Sequence, residues 1–198
     1  MVPLSGGECV SCSKSSKTGK YCQMNFLTKA YLVYHIIRWR LFWSKRDTRH
    51  VYNAPDNPKF MSARDAVGLI KDGAVIATSG LAGNQRQAIM YWAIQEMFRE
   101  TGHPNNLTLV CTGGQGGRGR IPGTMEEIGI EGLTQCLIAG HLETYKAQLR
   151  LAEQGKMKIH CIPQGTLTML LDAQGRGEDS LLTSTGVGTF IDPRVGCG

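Results

Sequence analysis

Residues 59–80 read KFMSARDAVGLIKDGAVIATSG. Ser62 has the character of a helix N-cap, and Asp65 three residues on makes a near capping box. The helix this predicts runs to about Lys71. Gly73 stops it, and AVIATS (74–79) is a continuous apolar run of the kind that forms a buried strand. A helix that hands over to a strand across one glycine is a joint of an α/β layer, and the residues downstream repeat it. A helix is predicted over about 86–101, where Tyr91, Ile94 and Phe98 recur at helical spacing before Gly102, His103 and Pro104 stop it. LTLVCT (107–112) is the second strand, followed by a loop with many glycines over 113–124. CLIAG (136–140) is the third strand, LETYKAQLRLAEQ (142–154) the next helix and MKIHCI (157–162) the fourth strand. Thr166–Ala173 is expected to be helical, and a last strand-like segment lies around 185–191. Short apolar strands alternating with helices predict an α/β fold, an open, mostly parallel sheet with flanking helices. Ligands in such sheets bind past the carboxyl ends of the strands, where the glycine-bearing loops 80–84 and 113–119 fall.

Composition agrees with a folded domain: 41% hydrophobic and 19% charged residues exclude an intrinsically disordered chain. Glycine is 25 of 198 residues but has no Gly-X-Y period, which excludes collagen. The net charge of +6 is unevenly placed. Residues 1–58 hold nine Lys and Arg against three acids, whereas residues 59–198 hold 13 of each. The main body therefore has no electrostatic footprint for nucleic acid. Residues 53–58 (NAPDNP) mark a boundary, giving an N-terminal extension, 1–58, and a domain, 59–198. Residues 25–43 (NFLTKAYLVYHIIRWRLFW) are apolar and aromatic with interspersed basic groups. They suit an amphipathic basic helix for a membrane surface or a partner, part of an organelle-targeting segment, or an irregular extension.

Seven cysteines are spread along the chain. Cys111, Cys136 and Cys161 fall in apolar runs and are expected to fill core space. Cys9 and Cys12 with Cys22 resemble half a zinc site, but no second pair follows at the right spacing, so no metal is expected. Glu8 and its polar neighbours interrupt any signal-peptide core, and the expected compartment is reducing, hence cytoplasmic.

Gly114–Gln115–Gly116–Gly117–Arg118–Gly119 fits the dinucleotide pattern G-x-G-x-x-G, but that motif must open directly into a helix, and Arg120, Pro122 and Gly123 intervene. A flexible turn, or a loop whose backbone approaches another ligand, remains open. No P-loop, nucleophile elbow or zinc-protease motif is present. His103 is read as a solvated cap and His160 as an outward strand residue; His141, at a strand end beside Gly140, has more functional character.

The motifs carry a family likeness. Residues 59–80, LVCTGGQGGRGR (109–120), EGLTQCLIAGH (131–141), PQG (163–165) and GVGTFIDPR (186–194) resemble, in that order, the N-terminal (alpha-like) half of class I coenzyme A transferases of the propionate and acetate type. The resemblance covers 59–198 and none of 1–58. It implies the open α/β layer shared with some sugar-phosphate isomerases. It also implies transfer of CoA from an acyl-CoA to a short-chain carboxylate through a glutamyl-CoA thioester. Gln115 would serve an oxyanion or acyl site, and Gly80, Gly83, Asn84, Gly114 and Gly116 would line the substrate and CoA site. Coenzyme A would be a substrate, with no permanently bound cofactor. The nucleophilic glutamate belongs to the family's second half, which follows the DPR motif, so a catalytic beta-like half, fused or separate, and an oligomer are expected. Glu126, Glu127 and Glu131 do not match its setting. Leu81 and Gln87 replace the family's usual Phe and Pro in the first loop, which implies an altered acyl pocket. The competing readings are a non-catalytic lobe that binds CoA or a partner, and a sugar-phosphate isomerase, against which the chain lacks a Thr-rich phosphate loop.

Overall fold

A computed structural model of the chain describes residues 25–42, 46–51, 57, 59–80 and 86–195. It divides into two units, one ending at Lys45 and one spanning Arg46–Gly198. In the first, the described element is helix α1, Phe26–Phe42, with every residue exposed.

The second unit contains α2 (Ala63–Val67), β1 (Val75–Thr78), α3 (Ala88–Thr101), β2 (Leu107–Cys111), a 3₁₀ turn (Met125–Ile128), β3 (Thr134–Ala139), a shorter 3₁₀ turn (Leu142–Thr144), α4 (Lys146–Glu153), β4 (Lys158–Cys161) and α5 (Gln164–Gly175). Ser62 caps α2, its hydroxyl accepting from the Asp65 N–H at 3.0 Å and donating to the Asp65 carboxylate at 2.6 Å. The helix stops at Val67 rather than near Lys71 because Gly68 follows, and glycine costs about 1 kcal/mol in a helix interior. Gly102 ends α3 in the left-handed region at φ 76°, its N–H returned to the Phe98 carbonyl at 2.8 Å.

The four strands form one parallel sheet in the order β1-β2-β3-β4. Ile76, Leu109, Leu137 and Ile159 stand in one register row, and Thr78, Cys111, Ala139 and Cys161 in another on the same face. The core gathers there, with Leu109, Leu137, Tyr91, Ile94, Met125, Ile128 and Tyr145 buried together. β1 is not the buried strand expected. It lies at the sheet edge with a single neighbour, so its burial alternates and Val75 is 68% exposed. Only Cys111 of the three strand cysteines is fully buried; Cys136 stands in the opposite row and Cys161 on the edge strand, both half-buried. All three are free thiols.

Two further expectations are corrected. Residues 142–154 are not one helix: a 3₁₀ turn and α4 are separated by Tyr145, whose φ of −102° and ψ of 59° break the helix and whose side chain goes inward. Residues 185–191 are turns, not a strand, with Gly186 and Gly188 at φ 92° and 78°. Residues 46–50, read as part of the extension, brace α3. The Arg46 guanidinium lies 3.3 Å from the Glu96 carboxylate and over the Trp92 ring at 4.8 Å, while Thr48 donates to Glu96 at 2.7 Å. None of the described helices is long and apolar enough to cross a membrane.

Candidate functional site

Past the carboxyl ends of β1 and β2 the chain makes two close turns. The Gly80 carbonyl presses on Gly113 so tightly that any side chain at 113 would overlap it. Gln115 then turns its side chain into the protein and is fully buried. Each polar group it carries has a partner. Its Nε2 donates to Thr78 Oγ1 at 2.9 Å, and its Oε1 accepts from the Tyr91 hydroxyl. Its backbone N–H donates to Tyr145 Oη at 3.0 Å, and its carbonyl accepts from the Met125 N–H at 3.2 Å. A buried amide left unpaired costs about 1–3 kcal/mol, so this saturation locks one rotamer and one loop path.

Tyr145 works as a staple. Its hydroxyl donates to the Gly113 carbonyl at 2.8 Å while it accepts from Gln115, bridging two neighbouring loop residues from another element. Glu126 holds the far end of the loop. One carboxylate oxygen accepts from the Gly117 and Gly119 N–H groups, both at 2.8 Å, and the other from Ala147 at 3.2 Å. Glu127 is engaged similarly, accepting from Trp92 Nε1 at 2.7 Å, Gln95 Nε2 at 2.9 Å and the Gly123 N–H at 3.1 Å. These two buried carboxylates stabilise the loop; their lone pairs are committed to N–H donors.

The loop glycines meet the protein's own backbone. A Cβ at Gly116 would overlap the Thr144 carbonyl, and one at Gly117 the Arg120 carbonyl. A Cβ at Gly114 would stand 3.0 Å from the His141 ring. Thus Gly114 and Gly116, expected to admit a ligand, here admit the 141–145 segment. His141 Nε2 lies 3.4 Å from the Glu143 carboxylate, which Arg118 also reaches at 2.6 Å, giving an exposed cluster above the loop. His103 joins Asp72 at 2.7 Å in an exposed turn, and His160 is exposed. Gly83 and Asn84, with Leu81, lie outside the described residues.

Thr78 and Tyr91, the two side chains that hold Gln115, also line a pocket of about 250 Å³. Ile76, Met90, Ile94 and Leu109 make its apolar wall, and Ser79 and Gln87 its polar rim. Gln87 is fixed there by donating to the Ser79 carbonyl at 2.6 Å. Its Oε1 sits 3.0 Å from Tyr91 Oη, whose single proton serves one amide oxygen at a time. Burial, reinforced by Cys111, pushes the Tyr91 phenol well above its ordinary range, and burial pushes Tyr145 up likewise. Both are neutral donors at any working pH. Burial also pushes the Cys111 thiol up to about 11, which leaves it protonated and inert. The arrangement can bind a small apolar group and offer neutral hydrogen bonds at its mouth. Among the described residues no group of three or more His, Cys, Asp or Glu is placed to hold a metal ion.

Sequence reasoning selected Gln115 but missed Thr78, Tyr91, Tyr145 and Glu126. The one available signal was the Glu126–Glu127 pair directly after a glycine-rich loop, which supplies many free N–H groups.

In the last motif, Asp192 accepts from the Gly188 N–H at 2.8 Å, from the Arg194 N–H at 3.0 Å and from the Arg194 guanidinium at 2.7 and 2.9 Å. The Arg194 guanidinium, then the two N–H groups, hold its carboxyl far below the usual carboxylate range.

The sequence profile of the family described as Coenzyme A transferase matches residues 60–196. The chain is similar to a caffeate CoA-transferase of Acetobacterium woodii, 39% identical over 139 residues, which cover 69% of this chain and 26% of that one. It is similar to the acetate CoA-transferase YdiF of Escherichia coli K12, 31% identical over 68% of this chain and 25% of that protein. Against the acetate CoA-transferase subunit alpha of the same organism the identity is 29%, covering 57% of the subunit. The chain thus spans about a quarter of the length of the first two relatives. Among solved structures, the YdiF apoenzyme from E. coli O157:H7 superposes with a TM-score of 0.63 at 32% identity, covering 68% of this chain and 26% of that one. The same enzyme described as a thioester complex with CoA gives 0.62 at 30%.

Proposed function

The chain belongs to the coenzyme A transferase family, and from that premise we propose that it is the alpha-like part of an enzyme that moves CoA from an acyl-CoA to a short-chain carboxylate. Coenzyme A and the carboxylate are its substrates, and no permanently bound cofactor takes part. A second, beta-like half, on the same or another polypeptide, supplies a glutamate; the complete enzyme is an oligomer. In this reading the glutamate oxygen attacks the thioester carbonyl, releasing CoA thiolate and leaving a mixed anhydride. The thiolate then attacks the glutamyl carbonyl, expelling the first carboxylate and forming the glutamyl thioester. The acceptor carboxylate repeats the two steps in reverse and leaves with CoA.

One observation carries the part given to this chain: the fully buried Gln115, tied at once to Thr78 and Tyr91 on the pocket wall and to Tyr145 behind the loop. Gln115 is proposed as a positioning residue: by accepting from Tyr91 and donating to Thr78 it fixes these two side chains of the pocket wall beside the acyl group. Gly80, Gly114 and Gly116 set the path of the loops around it, and Gly83 and Asn84 keep their proposed role in substrate binding. Gln87 on the rim supports an acyl pocket that differs from the family's usual one. The engaged carboxylates of Glu126 and Glu127 support a nucleophile from elsewhere. The reading keeps residues 59–198 as the transferase domain, preceded by an extension. Free thiols in the strands suit a reducing, cytoplasmic compartment.

The test begins with the intact mass of the natural polypeptide. A mass well above 21.7 kDa means a fused second half; 21.7 kDa means a separate partner. The protein as isolated from its source is then given propionyl-CoA and acetate. Acetyl-CoA is expected to form, and Gln115→Ala to lower the rate at least about tenfold, with KM for the carboxylate rising more than KM for the CoA thioester. An unchanged rate removes Gln115 from the mechanism.

A further inference from the structure

The pocket beside Gln115 has a size and a lining that single out one class of acyl group. Its polar groups stand at one end. Thr78 and Ser79 come from the carboxyl end of β1, and Gln87 is the residue that precedes α3. From that mouth the cavity runs along α3 past Met90 and Tyr91 to Ile94, the face marked by i, i+3, i+4 and i+7 spacing. Seven helical residues rise about 10 Å, the span of roughly eight bonds of an extended chain. The deep end is dry: Ile94, Leu109 and Ile128 are 3%, 0% and 1% exposed. None of the described residues lining the pocket is charged.

The volume decides what fits. An apolar cavity of roughly 150 Å³ already takes up benzene, and this one has about 250 Å³. The methyl of an acetyl group, or the ethyl of a propionyl group, would leave most of it empty. An empty apolar cavity forfeits the contacts of its lining. A tail of about five to eight carbons fills it, each methylene leaving water for the wall.

We propose that this pocket takes apolar acyl groups of about six to nine carbons, with the acyl carbonyl at the Thr78–Ser79–Gln87 mouth. On the transferase reading, on which this last step rests, the preferred CoA donor is an acyl-CoA of that class. A second carboxylate at the far end of the tail is excluded, because a charge buried without a partner costs more than burial of the tail gains.

Binding is to be read on the full chain, labelled with carbon-13 at the methionine methyl groups. Hexanoate, octanoate and 3-phenylpropanoate are expected to move the Met90 signal at concentrations at least about tenfold below those acetate needs. Adipate, the dicarboxylate counterpart of hexanoate, should leave it in place. The octanoate and phenylpropanoate arms separate a chain from a ring. In the transferase assay with acetate as acceptor, octanoyl-CoA should exceed propionyl-CoA in kcat/KM by at least about tenfold. Met90→Trp, which fills the middle of the slot, should lower that ratio by a similar factor; a folding defect lowers both donors alike and leaves the ratio unchanged. Acetate binding as tightly as octanoate overturns the proposal. So does adipate binding as tightly as hexanoate, or an unchanged donor ratio in Met90→Trp. Selective binding with no transfer from any donor supports the pocket's preference and removes the transferase reading instead.

Discussion

Two glycine-bearing segments, residues 113–119 and 186–194, look alike in the sequence and are held in opposite ways. The first is buried through Gly116 and is fastened from outside: Tyr145 and Glu126 supply its main anchors, from 30 and seven residues beyond the groups they bind. Gly113, Gly116 and Gly117 let backbone meet backbone, as Gly116 meets Thr144, while Gly119 supplies a positive φ at the loop's end. The second is fastened from within. Asp192 closes on Gly188 and Arg194, and its two glycines supply positive φ: a Cβ at Gly188 would meet nothing, while one at Gly186 would overlap the Ile191 side chain. Its Val187 and Phe190 stay exposed. One glycine pattern therefore serves close packing in a core and turn formation on a surface, and spacing alone does not separate them.

The largest break in this comparison should come from Gly116→Ala. The added methyl would overlap the Thr144 carbonyl and the Tyr145 nitrogen, neither of which is a flexible side-chain end. A loss of about 3 kcal/mol or more in denaturant unfolding is expected. A wild-type midpoint would mean that the 141–145 segment yields easily. Tyr145→Phe comes next. It leaves the Gln115 N–H and Gly113 carbonyl without their hydroxyl, which should cost about 1–3 kcal/mol and speed amide exchange across 113–116. Exchange confined to other loops would show that the staple is dispensable. Gly188→Ala should be milder, at about 1–2 kcal/mol for a left-handed alanine with open space around it. A cost equal to that at Gly116 would erase the distinction between the two segments.

The smallest effect is a titration. The folded pKa of Asp192 lies below its unfolded value near 3.8, so its contribution is present above about pH 4 and drains as pH falls toward the folded pKa. The expected result is local loosening of 186–194 well below pH 4. The carboxyl carbon shift of Asp192 followed by NMR checks it; a midpoint near 4 would show that the clasp does not hold in solution.

Much of the fold was legible because it rests on local rules. Ser62 and Asp65 cap a helix wherever they occur at that spacing, and Gly102 ends one by tolerating φ 76°. The four strands were visible as apolar runs between such stops. What escaped were features set by neighbours distant in the chain. The exposed face of β1 follows from its place at the sheet edge, and no property of AVIATS reports that place. Tyr145 sits amid a helical pattern, yet breaks the helix because its hydroxyl is needed 30 residues upstream.

By itself the sequence determined the alternation of elements, the parallel α/β class and the position of Gln115 in a glycine loop, since caps, turn residues and hydrophobic runs act over a few residues. Tertiary structure alone decided that Gln115 faces inward onto Thr78 and Tyr91, that Glu126 and Glu127 bind backbone N–H groups, and that the loop glycines admit the chain's own carbonyls. Those outcomes depend on which donors and acceptors are brought together when water is excluded. A buried polar group must then find a partner wherever the fold has placed one.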